Sequence, residues 1–306
     1  MEVREWALIL FTILAQMSVG SFWVLGVVHY YAKRKANEEE ADRLSDRALL
    51  VIGPLMILGL LASLFHLGDP LSAFQAVTNV SSSWLSREIL FGVLFAILGG
   101  LFAIMQWRKW GSFMLRNVVA ILAGIAGLFL VISMSGVYML PTQPAWNTVA
   151  TPIFFLATTL LLGSLAMGTA FAANYLYLKR KGEEGLEAQL DLLRGSLRGI
   201  SVTALVVLGI QLIVSPLYIA ALSAGVPEAQ ESASMLVDDY VTIFVLRLVL
   251  SLIGAGLFAI VLYQGAGGEA KDRTMAYMVY GAFALVLVAE VLGRYLFYAI
   301  QVPVGI

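Results

Sequence analysis

Eight stretches of this chain stay apolar for about 20 residues or more, the length an α-helix needs to cross the ~30 Å hydrocarbon core of a bilayer. They fall at about 6–31, 48–66, 88–106, 116–139, 152–178, 198–222, 240–262 and 275–299. Lipid offers no partner to a backbone N–H or C=O, so such a stretch must pair its own, as a helix does. The period-two alternation of a membrane β-barrel strand is missing from all eight. The expected fold is therefore an all-α integral membrane protein, an eight-helix transmembrane bundle forming one domain over residues 1–306. Charge supports this: 13% of residues are charged, against about 25% in a soluble domain. The first stretch is too long for a secretory h-region and lacks a basic n-region, so it is expected to be retained as a helix.

Basic residues orient the bundle. Of the 19 Lys and Arg, Arg247 and Arg294 lie inside stretches, and Arg4 and Arg87 lie on the face that carries the termini. All the others follow stretches one, three, five and seven. The positive-inside rule then places both termini outside and the odd-numbered loops in the cytoplasm. The outer face carries acids instead, among them Asp69, Glu88, Glu228, Glu231, Asp238 and Asp239. Such a surface fits a docked partner protein, with Trp84 and Trp146 as anchors and Asp69 at the contact. An aromatic belt at headgroup level is the alternative for the tryptophans. A net charge of −1 offers nothing to nucleic acid. The inner loops, 33–48 and 179–199, mix both signs and read as solvated connectors. The second, with Leu186, Leu190 and Leu193 on one stripe, reads as a short helix lying on the membrane surface.

The chain has no cysteine, which excludes disulfides, cysteine-ligated iron–sulfur clusters and thiol catalysis within it. Its two histidines, His29 and His66, fall at opposite membrane surfaces and cannot ligate one haem together. His–Met ligation stays formally open, although Met is a common core filler. His29, in HYYAKRK, reads as an interfacial polar residue. His66 ends stretch two before Gly68 and Pro70, where a histidine either bonds the last helix carbonyls or accepts a proton from a lipid-soluble donor such as a quinol hydroxyl. Glu88 opens stretch three at the same surface. There a carboxylate either relays that proton outward or simply favours the helix N-terminus. Glu290 and Arg294 are four apart and share a helix face, with Tyr298 beyond them. The pair falls in the outer leaflet, as does Arg247, and Gln16 reaches near mid-depth. A charge at mid-membrane costs ~3 kcal/mol or more, so these side chains face the interior, and an ion-pair network joining stretches seven and eight is the plain structural expectation.

These residues resemble the membrane anchor subunit of the dimethyl sulfoxide reductase type, DmsC-like, among the complex iron–sulfur molybdoenzymes. The resemblance runs from EWALILFTILAQMSVGSF (5–22) to AEVLGRYLFYA (289–299), through PAWNTVATP (144–152) and DYVTIFVLRLVL (239–250). Its most specific part is HLGDPLSAF (66–74) followed by LSREI (85–89). It implies an anchor of the cytoplasmic (inner) membrane, without haem, that oxidises menaquinol near the outer face. Electrons would pass to a four-cluster iron–sulfur subunit, then to a subunit bearing a molybdenum or tungsten pterin that reduces a terminal acceptor. The resemblance puts the quinol-site histidine on His66 and the nearby glutamate on Glu88, with no metal in this chain. Its inner loops are longer and more charged than the family pattern. Three alternatives stand beside it. One is a polysulfide-reductase-like anchor coupled to proton movement. The second is a secondary transporter using Glu290 and Arg294, although no matching pair of Gly- or Pro-broken helices appears in two halves. The third is a purely structural anchor.

Overall fold

The computed structural model describes residues 3–64, 79–267 and 272–305, with side chains over 6–63, 79–261 and 273–305. His66 and Asp69 lie outside the described residues, as do Glu2 and Lys271. The helices in chain order are α1 (Val3–Lys35), α2 (Glu38–Leu64), α3 (Trp84–Arg108), α4 (Phe113–Tyr138), α5 (Ala150–Lys181), α6 (Leu186–Ser223), α7 (Pro227–Ser234), α8 (Val241–Gly267) and α9 (Asp272–Ala299), with a π turn over Met235–Asp239 before α8. Among the described residues there is no strand. Every helix except α7 is long and apolar enough to cross a membrane. Eight crossings return the chain to the end where it began: Trp6 lies against Tyr295, and the Val304 amide donates to Thr142 O at 3.0 Å. We call this the terminus end, and the opposite one the basic end.

The helices outrun their apolar stretches at the basic end. α2 starts at Glu38, with Glu38, Glu39 and Glu40 in its first turn, and α1 closes on Lys33, Arg34 and Lys35. Both charge patterns complement the helix macrodipole. The loop residues are thus helix ends tied together rather than solvated connectors. Lys33 pairs with Glu38, Lys35 with Asp191, Arg43 with Glu183, and Lys109 with both Asp42 and Asp46. The stripe of Leu186, Leu190 and Leu193 is not a separate surface helix. It forms the first turns of α6 and packs against the core, with Leu193 buried.

At the centre lie α1 and α5, with 72% and 67% of their apolar windows buried. Lipid tails are as apolar as leucine, so helices in a membrane associate through close packing and polar contacts, and small residues permit the closest approach. α1 and α5 meet in this way at Gly20 and Gly163. A Cβ on Gly20 would lie 1.8 Å from Thr159 O, and one on Gly163 would lie 2.1 Å from the Gly20 carbonyl carbon. The backbones touch, and the register of α1 against α5 is fixed there. Around them α2 packs on α1, α6 and α9 on α5, α4 on α5 and α1, and α3 on α4.

Gly163→Ala is therefore expected to lower stability by about 1–3 kcal/mol, the cost of overpacking a tight contact, and Gly163→Leu to prevent accumulation of folded protein. Gly26→Ala, on the same α1 helix with nothing near its Cβ position, should be neutral or mildly stabilising. Thermal unfolding of the detergent-purified protein reads all three.

Candidate functional site

Glu88 is set by the start of α3. The helix begins at Trp84, four residues before the apolar stretch does, because Ser83 caps it and accepts from the Ser86 amide at 3.3 Å. Arg87 ties down the preceding turn, donating to Val80 O at 2.8 Å and Ser81 O at 2.7 Å. Glu88 thus sits one turn inside the helix, and it is buried. Favourable interaction of a carboxylate with the helix N-terminus fades beyond the first turn, so the dipole accounts poorly for an acid at this place.

At the same end of the bundle, Tyr138 ends α4 and Tyr298 nearly ends α9, and their hydroxyls are hydrogen-bonded at 2.6 Å. Both rings are buried. Arg294 lies one turn before Tyr298 on α9. Tyr138 is held by a cage of rings: Trp146 and Phe297 meet it edge-on at 5.3 and 5.2 Å, and Phe155 lies at 5.6 Å.

Deeper, Arg294 donates to Gln16 Oε1 at 2.8 Å, and its guanidinium lies 3.8 Å from the centre of the Phe155 ring. Gln16 passes the interaction on through its amide, which donates to Phe155 O at 3.1 Å. One turn back on α9, Glu290 Oε2 accepts from Thr158 at 2.5 Å. Among the described residues the ion pairs within 4 Å involve neither Glu290 nor Arg294. The expected ion-pair network between the last two crossings is thus replaced by polar bonds from α9 to α1 and α5. Arg247 of α8 does approach α9, lying over Gly293, where a Cβ would come within 2.7 Å of its Nε. A cavity of about 60 Å³ lies between these helices, lined by Thr158, Ser215, Arg247, Glu290 and Arg294, room for a few waters at ~10–15 Å³ each. Glu290 Oε1 is buried beside it without a partner among the described residues.

The structure therefore brings Glu88, Tyr298, Arg294, Gln16, Glu290 and Arg247 to the terminus half of one bundle. Reading the sequence missed Tyr138 and Thr158, whose only signal was a hydroxyl among several on the same helix. Trp146 is committed inward: its indole N–H donates to Phe297 O at 2.7 Å and its ring stacks on Phe297 at 5.4 Å. Trp84 is 41% exposed, lies against Gly136, and has the Arg87 guanidinium over it at 4.5 Å. Nearby, α7 and the π turn cover the bundle end, and Glu231, Asp238 and Asp239 face outward. His29 sits at the other end, 3.2 Å from Ser45 and 3.9 Å from Asp42. Among the described residues no three His, Cys, Asp or Glu side chains gather closely enough to hold a metal ion.

Comparison with known proteins adds a family. Residues 1–300 match the family described as DMSO reductase anchor subunit (DmsC). An anaerobic dimethyl sulfoxide reductase chain of Escherichia coli is 30% identical over 304 residues, which span 99% of the present chain and 96% of that relative. Its namesake in Haemophilus influenzae is 29% identical over 303 residues, spanning 98% and 96%. A sulfite dehydrogenase subunit of Allochromatium vinosum is 29% identical over 180 residues, 55% of the present chain and 54% of that relative.

The Gln16–Arg294 bond has a stability signature. Gln16→Leu leaves a buried guanidinium without its acceptor and is expected to cost about 1.5–3 kcal/mol, the worth of a hydrogen bond to a charged group. Adding Arg294→Met should recover much of that loss, a coupling that denaturant unfolding of the single and double variants would measure.

Proposed function

The chain belongs to the DMSO reductase anchor subunit (DmsC) family, and on that premise we propose that it oxidises menaquinol at its terminus end and passes the electrons to an iron–sulfur subunit docked there. The observation that carries this reading is Glu88: a buried carboxylate one turn inside α3, at the end of the bundle that also holds a bonded phenol pair and Arg294. A membrane interior keeps such a group only where it is used or firmly paired. In the sequence His66 follows the end of α2 by two residues, before α3 begins at this same end.

In the proposed reaction the quinol enters sideways from lipid, between α2, α3 and α9. One hydroxyl bonds the His66 imidazole, which takes its proton as a general base. Glu88 takes that proton onward to water, and the second hydroxyl loses its proton by the same route. Two electrons leave one at a time to the partner's nearest cluster, so menaquinol becomes menaquinone, two protons and two electrons. The phenol pair and Arg294 hold the inner wall against which the ring stands. With the basic end in the cytoplasm, electrons and protons leave on one side and no charge crosses the membrane. The exposed acids of α7 and the π turn, with Trp84, form the docking face for the iron–sulfur subunit. A molybdopterin subunit beyond it reduces the terminal acceptor.

His66→Leu is expected to abolish oxidation of a menaquinol analogue in membranes while the complex stays assembled, as judged by co-purification of its subunits. Glu88→Gln should slow turnover by about tenfold or more, within the range of a lost acid–base group, and Glu88→Asp should retain part of it. Normal quinol turnover in His66→Leu would reject the assignment.

A further inference from the structure

Among the described residues a second, wider cavity lies away from the terminus end. About 570 Å³ open at the basic end between α1, α2, α3 and α4, within the size range of small-molecule sites. Its wall follows α1 from Phe22 to Lys33, roughly 16 Å at 1.5 Å per residue, and is apolar along most of that length. Its polar end is unlike a surface salt bridge. Arg116 is 8% exposed, and its Nη2 lies 3.4 Å from Glu38 Oε1. Its Nε and Nη1 are buried with no acceptor among the described residues. The other Glu38 oxygen is taken by Lys33 at 2.8 Å. One carboxylate thus serves two cations, while a buried guanidinium keeps two donors to spare. Beside this, Asp42 and Asp46 share Lys109, at 2.7 and 3.1 Å, and Gln106 donates to both at 2.7 and 3.0 Å without adding charge. A local excess of positive charge adjoins a local excess of negative charge.

The geometry points to a bound phospholipid, its phosphodiester on Arg116 and one acyl tail in the slot between α1 and α4. An anionic acceptor beside Arg116 supplies the second counter-charge that Glu38 cannot, and an unpaired buried donor is costly enough to select for one. A quinone carbonyl is neutral and would leave the charge unbalanced. A free phosphate would leave the apolar wall bare. The acid pair next to the site favours a headgroup with an ammonium, as in phosphatidylethanolamine.

Native mass spectrometry of the detergent-purified complex tests this. The wild type is expected to retain one phospholipid per anchor subunit after extended detergent washing. Arg116→Gln should reduce that occupancy tenfold or more, and Ala120→Trp, which fills the slot and leaves Arg116 in place, should do the same in an assembled complex. After full delipidation, added phosphatidylethanolamine should rebind and diacylglycerol, which has no phosphate, should not. The proposal falls if the washed wild type carries no lipid, if it carries a quinone or inorganic phosphate instead, if Ala120→Trp keeps the lipid, or if diacylglycerol rebinds equally well.

Discussion

Contact between the backbones of α1 and α5 sets the rest of this bundle. In lipid, helices gain little from burying leucine against leucine, so the register must come from shape and from polar bonds. At Gly20 and Gly163 the shape leaves no room for even one Cβ. One turn from that crossing, Gln16 of α1 and Phe155 and Thr158 of α5 come to lie side by side, and α9 then has somewhere to put its two charges. Arg294 lands on Gln16 and Phe155, and Glu290 on Thr158. Were the helix register shifted by one residue, each of these partners would point about 100° away at 3.6 residues per turn, and both charges would be stranded.

The two ends of the bundle handle charge by different means. At the basic end, half-exposed acids and bases pair directly, Lys33 with Glu38 and Lys109 with Asp42 and Asp46. Such pairs contribute about 0–1 kcal/mol each and mostly tie helix ends together. Toward the terminus end, the ionisable groups are buried and bonded to neutral partners. A hydroxyl, an amide and an aromatic face hold Glu290 and Arg294 without cancelling their charge. Those groups are buried in the same half of the bundle as Glu88 and the Tyr138–Tyr298 pair. It is also the end where α7 and the π turn present acids outward.

The eight crossings were legible because lipid imposes a length and an apolar composition that few other contexts require. Helix ends were less so. α3 starts at Trp84 because of a serine cap and the bonds of Arg87, local chemistry that an apolar count does not register. α6 swallows a stripe that looked like a surface helix, because Leu193 finds the core rather than the bilayer. Glu290 and Arg294 could be recognised as interior and neighbouring from their spacing, but not their partners, since Gln16 lies 278 residues from Arg294. Tyr138 and Arg116 escaped notice for a related reason. A tyrosine or an arginine near a helix end usually marks the interface, and only the packing shows that these two are buried.

In the proposed reaction the quinol ring stands at the terminus end, between α3 and α9. Photolabelling of the assembled complex with an azido-menaquinone, followed by peptide mapping, tests it directly. Label is expected on the segment from His66 to Glu88 and on the last two turns of α9, with loss of that label in His66→Leu. Label confined to α1 and α4 near His29 and Arg116 would contradict it.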